Sequence, residues 1–126
     1  MSTEVILSLL EEIKESIVLI NQRSADIESP NDFLKDSEGL TKLDAIAMRL
    51  QVIGEAVKKI EKKDLGFLEK YTEVEWKKIK GMRDFISHQY SELDEVEVFT
   101  ACKFDIPLLE TTIDIIIKDI NNMGII

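Results

Sequence analysis

Apolar residues return every three or four positions along most of this chain, with charged residues between them, which is the pattern of helices that bury one face. Val5, Leu9, Ile13, Ile17 and Ile20 trace the first stripe, interleaved with Glu11, Glu12, Lys14 and Glu15, and predict a helix ending near Arg23. Ser29, Pro30 and Asn31 interrupt the pattern, and Asp32 to Asp36 read as one short turn around Phe33 and Leu34. The clearest stripe is Leu40, Leu43, Ala47, Leu50, Ile53 or Gly54, Val57 and Ile60. It spans about six helical turns without a proline. Lys58, Lys59, Lys62 and Lys63 suit the negative pole at the end of this helix.

Thr72 and Glu75 have the spacing of a capping box, so a third helix is expected from near Glu73, with Trp76, Ile79, Met82, Phe85 or Ile86, and Gln89 on its face. Asp94 is placed to cap a fourth, through Val96, Val98, Phe99 and Cys102. Pro107 is expected to kink or restart it before Leu108, Leu109, Ile113, Ile116, Ile117 and Ile120, and Asn121, Asn122 and Gly124 end it. No internal repeat, low-complexity run or linker divides the sequence. The expectation is one all-α domain over residues 1–126, an antiparallel bundle of four to five helices.

Composition narrows this further. With 44% hydrophobic and 33% charged residues the 126-residue chain is far from disordered or membrane compositions, and five Gly and two Pro are too few for a many-turned β-sandwich. Cys102 is the single cysteine, which excludes an intramolecular disulfide, suits a reducing cytoplasm and reads as a packing residue. The N-terminus lacks a basic start and no apolar run approaches the roughly 20 residues a bilayer needs, so the chain is expected neither to be secreted nor to span a membrane.

A net charge of −9 disfavours general nucleic-acid binding, but the charge is uneven. Residues 1–57 carry 5 basic against 11 acidic side chains, residues 58–83 carry 9 against 5, and residues 84–126 carry 2 against 9. Any RNA is expected to meet the middle segment, where Lys77, Lys78 and Lys80 lie beside Trp76; a solvated helix surface is the plain alternative. The acidic flanks suit a basic protein partner.

The only histidine lies in Gly81-Met82-Arg83-Asp84-Phe85-Ile86-Ser87-His88-Gln89-Tyr90. Asp84 precedes His88 by one helical turn, so its carboxylate is placed to accept from one imidazole nitrogen and fix the other. Arg83 and His88 are five residues apart, about 140° around a straight helix. Either the helix ends or distorts near Ser87, or a symmetric dimer sets two copies of the segment together. Two histidines would supply a base for an RNA 2′-hydroxyl and an acid for the leaving 5′-oxygen, and arginine would stabilise the phosphorane, without metal. With one His, one Cys and no carboxylate set at ligand spacing, no metal site is expected, and the absence of glycine-rich phosphate loops implies no nucleotide cofactor held by those devices.

Arg83, four residues, His88, one residue and Tyr90 form an R-x4-H-x-Y motif that resembles the HEPN ribonucleases, and its surroundings resemble the HepT group of toxin-antitoxin proteins. Leu50-Gln51-Val52-Ile53-Gly54-Glu55-Ala56-Val57-Lys58-Lys59, Trp76 before Gly81-Met82-Arg83, and Asp105-Ile106-Pro107-Leu108-Leu109 carry that likeness over roughly residues 40–120. The resemblance implies a homodimeric all-α bundle whose composite cleft holds Arg83 and His88 of both chains, with Asp84 as the polar residue typical after the arginine. It implies an endoribonuclease toxin paired with a minimal nucleotidyltransferase antitoxin, which silences it by adding AMP at the position of Tyr90. Gln89 stands where glycine is frequent in the group, so the helix is expected to continue further here. The alternative is a non-catalytic helical companion subunit of a nucleotidyltransferase.

Overall fold

In a computed structural model, the backbone is described for residues 3–88 and 94–123, and the side chains for residues 3–82 and 94–123. Helices α1 (Thr3–Ser24), α2 (Ser37–Lys63) and α3 (Trp76–His88) are followed by α4 (Glu95–Thr100) and α5 (Ile106–Asn122). Thr100, Ala101, Asp105 and Ile106 all keep right-handed helical dihedrals, so α4 and α5 form one rod through a π-helical stretch, Ala101–Asp105. The expected all-α bundle of four to five helices is therefore present. Among the described residues there is no strand.

The bundle closes because each helix turns its apolar stripe inward. Lys42 lies 3.9 Å from Asp26 and Arg49 Nη1 donates to Ser16 Oγ at 3.4 Å, so α1 and α2 run antiparallel. Lys14 to Asp114 at 3.1 Å and Asn21 to Glu110 at 3.5 Å set α1 antiparallel to α5 in the same way. Ile13, Ile20, Ile46, Ile60, Ile106, Leu109 and Ile113 are fully buried between them. Each such side chain contributes about 1.5–3 kcal/mol relative to exposure.

Three details of the sequence reading change. The α1 stripe starts at Ile6 and Leu10, while Val5 is 38% exposed and Leu9 only partly buried. Val5, Ile6, Leu9 and Leu10 allow two registers, and the steps 6, 10, 13, 17, 20 point one continuous face at α2 and α5. Leu40 and Leu108, expected inside, are 46% and 45% exposed; Gly39 and Ile46 on α2, and Ile106 on α5, face the core instead.

The third change concerns the ends of α3 and the rod. The helix begins at Trp76, not Glu73, and the Thr72–Glu75 capping box is not its start: the Glu75 carbonyl accepts from the amides of Lys78 and Ile79 at 2.9 and 3.1 Å. Val74 is buried ahead of the helix, and the Trp76 indole N–H donates to the Tyr71 carbonyl at 2.9 Å, which holds residues 71–75 as a turn. Pro107 neither breaks nor ends its helix. The amide of Ile106 bonds to the carbonyl of Ala101, one residue wider than an α-turn, and this widening accommodates the ring that a regular helix would drive into the preceding turn.

Asp36 and Asp94 act as N-caps, Asp36 accepting from the Gly39 amide at 2.7 Å and Asp94 from that of Val96 at 2.8 Å. The loop after α2 is tied to the end of α5 by the Tyr71 hydroxyl, which donates to Asp119 Oδ2 at 2.9 Å. Cys102 is buried, and burial pushes its thiol up to about 11, as expected of a packing residue. Among the described residues no helix is long and apolar enough to cross a membrane.

Candidate active site

α3 carries the chemistry-bearing segment on a short anchor. Trp76 and Ile79 in its first turns are buried, and the aromatic pin to Tyr71 fixes where the helix leaves the body. From there the backbone stays helical through Arg83, Asp84 and Ser87 to His88. The side chains of Arg83, Asp84 and His88 lie outside the described residues, as does the whole of Tyr90 and of Gln89. Their register is nevertheless set by the helix: Asp84 and His88 stand one turn apart on one face, and Arg83 and His88 stand about 140° apart. The helix does not end or distort at Ser87.

The three lysines of this region have different neighbours. Lys77 is exposed. Lys78 Nζ lies 3.1 Å from both carboxylate oxygens of Asp105, and Lys80 Nζ donates to Glu61 at 2.7 Å. A phosphate reaching Lys78 or Lys80 would compete with a carboxylate already in place, whereas Lys77 offers an uncompensated charge. Among the described residues no group of three His, Cys, Asp or Glu side chains is arranged to hold a metal ion.

One feature escapes the sequence reading. Between α2, α3 and the α4–α5 rod lies a cavity of about 380 Å³, whose walls include Leu50, Gly81, Met82, Val96 and Ala101, with Lys78 and Asp105 at its polar side. Only Gly81 signals it in the sequence. A glycine inside a helix weakens it, and here an added Cβ would meet nothing within 4 Å, so no packing inside the chain requires its absence.

Comparison with known proteins places this arrangement. The model of the family described as Ribonuclease HepT-like matches residues 13–116. The chain is 43% identical over 76 residues to "Putative RNase MJ1216" of Methanocaldococcus jannaschii, covering 60% of each chain. It is 36% identical over 109 residues to "Putative RNase TTE0752" of Caldanaerobacter subterraneus, covering 86% of this chain and 91% of that one. It is 35% identical over 101 residues to "Probable ribonuclease HepT" of Thermococcus cleftensis, covering 80% and 86%. The match to the first of these and to a second M. jannaschii protein spans about three fifths of their length. No solved structure matches the chain.

Proposed function

Since this chain belongs to the HepT-like ribonuclease family, we propose that it is a metal-independent endoribonuclease with Arg83 and His88 as its working pair, assembled in the cytoplasm as a symmetric homodimer. The observation that carries this reading is the unbroken course of α3 through His88. Positions about 140° apart on one helix do not converge on one phosphate, so a two-fold axis beside α3, bringing both residues of both copies to one groove, supplies the missing geometry.

In that groove one imidazole takes the proton of the RNA 2′-hydroxyl as its oxygen attacks phosphorus. The second imidazole, protonated, gives its proton to the departing 5′-oxygen, and the arginines hold the phosphorane charge. The products are a 2′,3′-cyclic phosphate and a 5′-hydroxyl. Asp84, one turn before His88, fixes the imidazole tautomer. Lys77 guides the backbone, with Lys78 and Lys80 joining as phosphate displaces their carboxylates. The regulator is a nucleotidyltransferase antitoxin: AMP on Tyr90 adds charge and bulk that repel RNA.

Purified wild type and His88→Ala, incubated with total RNA in excess EDTA, test this. Cutting by wild type alone, with cyclic phosphate ends, is the expected result; cutting by both removes His88 from the mechanism, and free 3′-hydroxyl ends remove the 2′-hydroxyl attack. The second reading, a helical companion subunit of a nucleotidyltransferase, is favoured by the net charge of −9 and by the carboxylates already held by Lys78 and Lys80. No cutting by wild type together with co-purification of the nucleotidyltransferase selects it.

A further inference from the structure

We propose that the cavity beside α3 is a base-recognition pocket that takes one unstacked, amino-bearing nucleobase of the RNA strand. The inference rests on the reading of this chain as an RNA-cleaving protein and adds what part of the strand it grips. The volume of about 380 Å³ lies at the small end of ligand sites, suited to one flat group. Its walls offer Leu50 from α2, Met82 from α3 and Val96 and Ala101 from the rod, apolar surfaces against which the faces of a base are buried.

The polar side of the pocket is an acceptor. Lys78 donates to Asp105 Oδ1, whereas Asp105 Oδ2 is buried with no hydrogen bond among the described residues, although the ammonium stands 3.1 Å away and balances its charge. A buried acceptor left unfilled is costly, and an incoming N–H donor relieves it. Adenine, cytosine and guanine each carry an exocyclic amino group that can fill this position. Uracil has only a ring N–H flanked by two carbonyls, which the carboxylate repels.

Gly81 connects the pocket to the chemistry. It lines the cavity, its missing side chain leaves open space, and it precedes Arg83 by two residues, about 3 Å along the helix axis. A base seated there would hold its own backbone beside the motif face of α3. The glycine is retained inside a helix because a side chain would occupy the place of the base.

The test uses full-length 15N-labelled protein and 2′-O-methylated tetranucleotides of each base, which 2′-hydroxyl chemistry cannot cut, with an abasic tetramer as the control for phosphate alone. The expected result is amide shifts at Gly81, Val96 and Ala101 with base-bearing tetramers and not with the abasic one, and weakest binding for uracil. Gly81→Leu should weaken the preferred tetramer about ten-fold or more, and Asp105→Asn, which presents a donor as well as an acceptor, should bring uracil to within about two-fold of the others. Equal shifts with the abasic tetramer, shifts mapping elsewhere, or a Gly81→Leu variant that binds like wild type overturns the proposal. Free mononucleotides binding as tightly as tetramers overturn the assignment to RNA. Cleavage by wild type without base-dependent shifts would sink the pocket alone, and base-dependent shifts without cleavage would sink the ribonuclease reading alone.

Discussion

At Gly39 the first turn of α2 lies against the turn Pro30–Phe33, so closely that an added Cβ would fall on the carbonyl oxygen of Asp32 and stand 2.9 Å from that of Phe33; at Gly81, in the middle of α3, the same atom would meet nothing within 4 Å. The two glycines mark two kinds of region. Around Gly39 the chain packs backbone to backbone, with Phe33 fully buried and the Asp32 carboxylate held low by the amides of Glu28 and Ser29 and by Lys35. Around Gly81 the chain leaves a cavity and an open helix face just ahead of Arg83. Stability is invested in α1, α2 and α5, and α3 borrows it through Trp76 and Ile79, leaving its later turns to meet something outside the chain.

The largest test of this division is functional. His88→Ala and Arg83→Lys should each lower cleavage of RNA about 100-fold or more, the lysine because an ammonium does not match phosphate oxygens as a guanidinium fork does, while the thermal midpoint stays near that of wild type. A large fall in melting temperature in either variant would show that the motif face supports the fold, and the contrast would fail. Gly39→Ala should have the converse effect: overpacking against backbone that has no room to move costs about 3 kcal/mol in urea unfolding. A neutral result there would mean the turn Pro30–Phe33 is free to shift.

A smaller effect tests how the α3 anchor is tied down. Tyr71→Phe removes the bond to Asp119 and should cost about 1 kcal/mol. Burial, with help from Asp119, pushes the Tyr71 hydroxyl up to about 12 from an ordinary value of 10.0, so the folded state holds its proton where the unfolded chain has lost it. This contribution is full below pH 10 and disappears as pH rises through 12, and the difference in stability between wild type and Tyr71→Phe should shrink over that window. A constant difference would place the effect in packing alone. The smallest change carries the opposite sign: Gly81→Ala should raise stability by about 0.5–1 kcal/mol, since alanine suits a helix interior and its methyl enters open space. Destabilisation would show that the chain itself occupies that space.

The helices were legible because amphipathic periodicity is local. The α2 stripe from Leu43 to Ile60 and the α5 residues Leu109, Ile113, Ile116 and Ile120 are buried as their spacing implies. The likeness that led to the family was carried by the motif and its surroundings on the page of the sequence alone, and the family match over residues 13–116 agrees with it. Periodicity is blind where a stretch is apolar on two faces, and so the choice between Val5 and Ile6, or the exposure of Leu40 and Leu108, waited on the neighbouring helices. Capping chemistry misled at Thr72 because burial of Val74 and the Trp76 bond to Tyr71 outweigh one capping box.

By itself, then, the sequence determined the helical class, the segments, the motif and its angular spacing, all of which depend on residues within a few positions of one another. Only the tertiary structure decided that Pro107 passes without a break, that Lys78 and Lys80 meet Asp105 and Glu61, and that Gly81 opens a cavity between α2, α3 and the rod. Those outcomes depend on residues brought together from 19 or more positions apart in the two ion pairs, and no local pattern encodes which surfaces will face one another once the core has closed.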